Sequence, residues 1–221
     1  MPHAILHPLA DLPEAQPVAS SAWLRAKTHE HHIDAKLTVA IDSVNSREAL
    51  AGFLLGWQEV WTEARTAALS EDASPIARAE LVVPSATVVS SLGIDLASID
   101  RPVLGLATVR APRAELTDLL SRPGGAWGVA YVLLGSRLGN VAIAPRLRAE
   151  LNLPGACCPA FLAPRVAHLG RDWNAFRSRL DATPLDHSDL DDAVAAARWT
   201  FRWVGAVLAG RIAPVTERAA A

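Results

Sequence analysis

Little in this chain invites a covalent or electrostatic explanation. Its only cysteines, Cys157 and Cys158, are adjacent. They make no disulfide framework, and a reducing cytoplasm is the default expectation. The formal net charge is −2 and the basic residues are scattered, which removes the electrostatic case for a nucleic-acid partner. Met1 to Pro8 lack the basic n-region and long apolar core of a signal peptide. One apolar run, Trp127 to Ala144, is long enough to approach a bilayer's thickness, but Arg137 lies at its centre. A charge there is costly in lipid, so the run reads as the buried helix of a soluble protein. Internal repeats and long linkers are absent too. At 221 residues, 51% hydrophobic and 20% charged, the chain reads as one globular domain. A domain of this length can bury roughly 70% of its unfolded surface without disulfide or metal staples.

What is present is helical periodicity. Residues 1–19 hold four prolines and read as a flexible arm. Ser20 or Ser21 is placed to cap a helix running to about residue 40. Asn45 followed by Glu48 resembles a capping box. The helix it opens carries Leu50, Phe53, Leu54, Trp57 and Trp61 as an apolar stripe. Residues 76–98 mix strand-favouring triplets with Pro84, and short broken helices are expected there. Arg113 to Arg122 predicts a short helix, and Pro123-Gly124-Gly125 a break. A long helix follows, which Pro145 should end or kink, and Asn152 to Gly155 should form a turn. Leu169 to Leu180 and Ser188 to Ala209 complete the set. The expected architecture is all-α: a single multi-helix domain over 20–212 with a frayed tail at 213–221.

Two features stand apart. Gly135-Ser136-Arg137-Leu138-Gly139-Asn140 places two glycines on one face of the long helix. Each costs roughly 1 kcal/mol relative to alanine in a helix interior. The stripe gains nothing unless something flat or large lies against the backbone, or another helix packs closely there. The second feature is Thr28-His29-Glu30-His31-His32. Arg25, Thr28, His32 and Lys36 share a helix face with it. The histidines lack zinc spacing and have no cysteine or second histidine pair to complete a site. Nor is there the Glu-x-x-His tetrad of a di-iron bundle. One axial imidazole opposite a bare helix face suits an iron porphyrin.

At this point the chain resembles a family. Leu24-Arg25-Ala26-Lys27-Thr28-His29-Glu30-His31-His32 is similar to the proximal helix of heme oxygenases. Tyr131-Val132-Leu133-Leu134-Gly135-Ser136-Arg137-Leu138-Gly139 is similar to the distal helix of bacterial members, including those associated with bacteriophytochromes. Phe176-Arg177-Ser178-Arg179-Leu180 with Thr183-Pro184, and Ala195 to Phe201, are similar to the C-terminal helices. The resemblance covers about Ala22 to Ala209 in order. It implies a heme oxygenase-like bundle that cleaves heme, both substrate and cofactor, with O2 and an external electron donor of ferredoxin or reductase type. The products would be biliverdin, CO and ferrous iron, with a bacteriophytochrome as biliverdin acceptor. It assigns the iron ligand to His32 rather than His29 or His31. Gly135, Ser136 and Gly139 fall on the distal catalytic stretch, Arg25 and Arg177 on the propionates, and Thr28 and Phe201 on the pocket. The chain departs from the family pattern in three places. Ser136 replaces a distal carboxylate, Lys36 replaces a glutamate that would bond the imidazole, and Asn140 replaces a third glycine. Cys158-Pro159 matches the dipeptide of heme-regulatory motifs, but the cysteines read first as loop packing. A heme carrier or sensor that leaves heme intact, and a helical interaction domain, are the rival expectations.

Overall fold

The computed structural model describes residues 19–33, 42–99, 113–154, 158, 160–161 and 166–212. Lys36, Cys157, Pro159, the N-terminal arm and the C-terminal tail lie outside them. Seven helices are described: α1 (Ser20–Ile33), α2 (Arg47–Ala68), α3 (Pro75–Ala97), α4 (Arg113–Ser121), α5 (Pro123–Glu150), α6 (Val166–Ala182) and α7 (His187–Ile212). No strand occurs among the described residues, as expected of an all-α fold.

The expected stripe on α2 forms the centre of the core. Leu50, Phe53, Leu54, Trp57 and Trp61 are all fully buried. The cap of α2 is one residue later than expected: Ser46, not Asn45, accepts from the Ala49 N–H at 3.1 Å. The chain from 75 to 97 is one helix rather than short pieces. Ser74 caps it, Pro75 occupies the first helical position, where a missing N–H costs nothing, and Pro84 sits inside it. The strand-favouring valines had pointed the other way, but Leu81, Ser85, Val88 and Leu92 bury one helical face against α2, and packing overrides propensity.

The largest difference is in α5. It begins at Pro123 and continues to Glu150, through both the expected break and Pro145. Proline at the first position is pre-organised for helix, and the two glycines beside it are packing devices. A Cβ on Gly124 would lie 2.1 Å from the Asp189 carbonyl oxygen, and one on Gly125 2.2 Å from that of Leu119. One on Gly128 would lie 2.1 Å from the Ala193 oxygen. These three let the backbone of α5 approach α7 and α4 closely, and α5 against α7 is the most extensive helix contact in the bundle. The turn after α5 is as expected, with Asn152 at a left-handed φ of 47° and the Leu153 N–H returning to the Arg148 carbonyl at 3.1 Å.

Beyond α5, the segment around Cys158 is tied to the end of α3. The buried Asp95 carboxylate accepts from the Ala160 and Phe161 N–H groups at 2.7 and 2.8 Å, and the Ser98 hydroxyl accepts from the Cys158 N–H at 2.9 Å. Cys158 is fully buried, which agrees with a packing role.

Among the described residues two helices, α3 and α5, are long and apolar enough by length and composition to cross a membrane. In this bundle α5 buries Trp127, Val129, Val132 and Leu133 against its neighbours.

Candidate functional site

α1 lies against α7 and α6, and α5 also packs on both, yet α1 and α5 share at most marginal contact with each other. The inward face of α1 is short, with Leu24 buried between two buried hydroxyl residues, Ser21 and Thr28. The Thr28 hydroxyl donates to the Leu24 carbonyl at 2.7 Å, so its proton is used within the helix and its lone pairs remain as acceptors. Ser21 does not cap its own helix, as the sequence had led us to expect. Its N–H and hydroxyl both donate to Asp181 of α6, at 2.7 and 2.9 Å. The carboxylate thereby serves the orphan donors at the start of α1 from outside. Arg177, also on α6, brings its Nε to 3.4 Å from the same hydroxyl.

Tyr131, on α5, completes this corner. Burial raises its phenol above the ordinary tyrosine value, while the charges of Arg25 and Arg177 act the other way. Residues from α1, α5 and α6 therefore converge, with two exposed guanidinium groups around one half-buried phenol. Tyr131 is the chain's only tyrosine, so absorbance near 295 nm reads it alone. Its titration midpoint should lie above about 10, the value of a free tyrosine. A raised folded-state value means that stability is full below the unfolded value and falls as pH rises toward the folded one. Arg177→Gln should move the midpoint higher still, because it removes a charge that favours phenolate; a midpoint at or below the free value would contradict this placement.

His32 is exposed at the far end of α1, and its ring meets Phe201 of α7 edge-on, with centroids 5.7 Å apart. Phe201 itself is buried. Arg198, one turn earlier on α7, donates to the Lys27 carbonyl at 3.0 Å and fastens this part of α1 down. His29 is exposed, and His31 is half-buried with its Nδ1 enclosed and unpartnered among the described residues.

The structure divides the glycine pair of α5. A Cβ on Gly135 would meet the Trp173 ring of α6 at 3.3 Å, so an indole already covers that backbone. At Gly139 no described residue lies within 4 Å of where a Cβ would point. The bare surface is therefore at Gly139, not along the whole stripe. Ser136 donates its hydroxyl to the Leu133 carbonyl at 2.7 Å, which leaves it only acceptor capacity. Asn140 is buried with its amide nitrogen unpartnered among the described residues.

Thus Arg25, Thr28 and Arg177 gather at one corner with Tyr131, while His32 of α1 pairs with Phe201 of α7, and Gly139 opens separately on α5. Two members of this neighbourhood, Tyr131 as an anchor and Trp173 as a cover, did not emerge as site residues from the sequence. Trp173 lies one helical turn before Arg177 and so shares its face, which is the signal that could have found it.

Among solved structures the chain is similar to heme oxygenase-2 from Synechocystis sp. PCC 6803, solved in complex with heme and NO, with a TM-score of 0.67 and 18% identity. The match covers 87% of this chain and 85% of that one. The bundle has the heme oxygenase fold. No protein-family profile matches the sequence, and no curated protein matches it significantly.

Proposed function

We propose that the chain binds heme between α1 and α5 and degrades it as a heme oxygenase. The observation that carries this reading is the pairing of an exposed His32 beside Phe201 with an uncovered Gly139 backbone, in a bundle where α1 and α5 scarcely touch. The residues fit a porphyrin in three respects. A neutral imidazole suits iron, the uncovered backbone at Gly139 admits the edge of a flat ring, and Arg25 and Arg177 offer guanidinium forks suited to carboxylates.

Heme, when bound, supplies the iron chemistry by which O2 and electrons from a ferredoxin- or reductase-type donor open the ring to biliverdin, CO and ferrous iron. The protein's own residues orient and enclose it. Burying several hundred Å² of apolar macrocycle gives on the order of 10 kcal/mol gross. Exposed ion pairs add roughly 0–1 each. Arg25 and Arg177 therefore set which way round the ring sits more than how tightly it is held. Tyr131, a neutral phenol between them at physiological pH, adds a hydrogen-bonding group to that edge. A cytoplasmic enzyme passing biliverdin to a bacteriophytochrome belongs to the same proposal.

A second reading is favoured by Ser136. With its proton held by Leu133, it accepts but does not donate, and a non-degrading heme carrier would need no donor there. One experiment separates them: hemin is added to the purified protein, followed by reductant and O2, and the Soret and biliverdin bands are followed. Loss of the Soret band with rising biliverdin supports the oxygenase, and a persistent Soret band supports the carrier. His32→Ala should abolish the wild-type ferric heme spectrum. Unchanged binding and turnover in that variant would move the ligand to His31 or His29. Failure of the wild type to bind heme would sink both readings.

A further inference from the structure

On the side of α5 shared with α3 and α6 is a second, half-open cavity of about 290 Å³, walled by Leu134, Arg137, Leu138, Pro84, Trp173 and Phe176. Ligand pockets generally run from about 300 Å³ upward, so this one sits at the lower edge, sized for one or two rings and too small for a tetrapyrrole. Three charged neighbours also line it. Glu80 and Arg179 are closed on each other as a bidentate pair, with both contacts at 2.7 Å, and have little left to offer. Asp172 is exposed and reaches Arg137 through its charge alone.

Arg137 is the remaining group. It is half-buried, and its guanidinium makes no hydrogen bond to any described residue. Burial accordingly holds it below the ordinary arginine value, with Asp172 acting weakly against that. None of its nitrogens is fully enclosed, so the fork is open to an incoming acceptor, and partial removal from water strengthens an ion pair formed there. Beside it the wall is aromatic. Trp173 and Phe176 stack at 5.4 Å between centroids and 22° between planes, and Leu134, Leu138 and Pro84 supply the rest of an apolar lining.

We propose that this cavity is a binding site for a small aromatic carboxylate, its carboxylate on the Arg137 fork and its rings on Trp173. The carboxylate geometry matches a planar guanidinium, and the lining matches a flat apolar body. The site is separate from the one proposed for heme, yet it touches it: the outer ring atoms of Trp173 are those that cover Gly135. A ligand that shifts this indole changes what α5 presents on its other side.

The test uses 2-naphthoate as probe and the full chain without heme. Isothermal titration should show saturable one-to-one binding. The neutral 2-naphthamide should bind at least tenfold more weakly. Arg137→Gln should lose at least tenfold, and Arg137→Lys, which keeps the charge but not the fork, should fall between. Asp172→Asn should bind several-fold more tightly, because it removes a competing negative charge; a merely structural role for Arg137 would not give that sign. Absence of saturable binding overturns the proposal, as does equal binding by the amide, by Arg137→Gln, or displacement by inorganic phosphate at equal concentration. His32→Ala should leave naphthoate affinity unchanged, so this site and the heme reading fail separately.

Discussion

Gly128→Ala should destabilise the fold by on the order of 3 kcal/mol, the upper part of the range for overpacking. The reason is the atom that the new methyl meets. At Gly128 the Cβ would stand 2.1 Å from a backbone oxygen of α7 and 2.9 Å from the Ala193 carbonyl carbon and the Ala196 Cβ. A flexible side chain could turn away, but a helix backbone cannot. Either α5 and α7 separate along their most extensive contact, or one of them bends. Gly139→Ala is the matched control. With no described residue within 4 Å, the added methyl restores helix propensity and should stabilise the ligand-free protein by about 0.5–1 kcal/mol. If Gly139 is kept bare for heme, the same variant should weaken heme binding while raising the unfolding midpoint. Chemical denaturation of the three proteins decides it. Equal stability of Gly128→Ala and wild type would mean that the close approach is not maintained in solution.

Arg211→Leu should cost about 3–5 kcal/mol, the range for removing one partner of a buried ion pair. Arg211 is nearly the last residue of α7, is 9% exposed, and donates through Nε to the Glu59 carboxylate of α2 at 2.9 Å, with a second contact from Nη2. Its backbone carbonyl is also the oxygen that forbids a Cβ on Gly52. The variant leaves the Glu59 charge enclosed without its partner. The double variant Glu59→Leu with Arg211→Leu should recover most of the loss, because an apolar pair of similar volume often replaces a buried ion pair at no cost. A single variant as stable as wild type would show that solvent already compensates Glu59.

How much of this was legible in the sequence depended on the kind of signal. Where apolar residues repeat at helical spacing, as on α2, the buried face was readable to the residue. Pro84 and Pro145 misled as helix endings because proline's penalty is local, whereas the packing that keeps α3 and α5 helical through them is not. The glycines were the deeper lesson. Gly124 and Gly125 looked like punctuation, Gly128 passed as part of the apolar run, and Gly135 with Gly139 looked like the stripe. Glycine spacing says that a backbone is bare but not what stands opposite. Only the fold shows Asp189, Leu119 and Ala193 against the first three, Trp173 against Gly135, and open space at Gly139. The corner formed by Arg25, Thr28, Tyr131 and Arg177 was half legible, since its members come from three helices and no local pattern joins them.

The construction of α5 has a mechanical consequence. Its first turns are gripped by bare backbone contacts with α4 and α7. Past Leu134 it carries two glycines, and Pro145 deprives the Val141 carbonyl of its usual N–H partner. The helix is thus gripped at its root and tied again near its end, where Ala144 and Leu147 are buried and Arg148 donates to the Cys158 carbonyl at 3.3 Å, which leaves the span between as its compliant part. A guest seated at Gly139 would load the compliant span, and the bending would be absorbed there without disturbing the tryptophan-lined centre of the bundle.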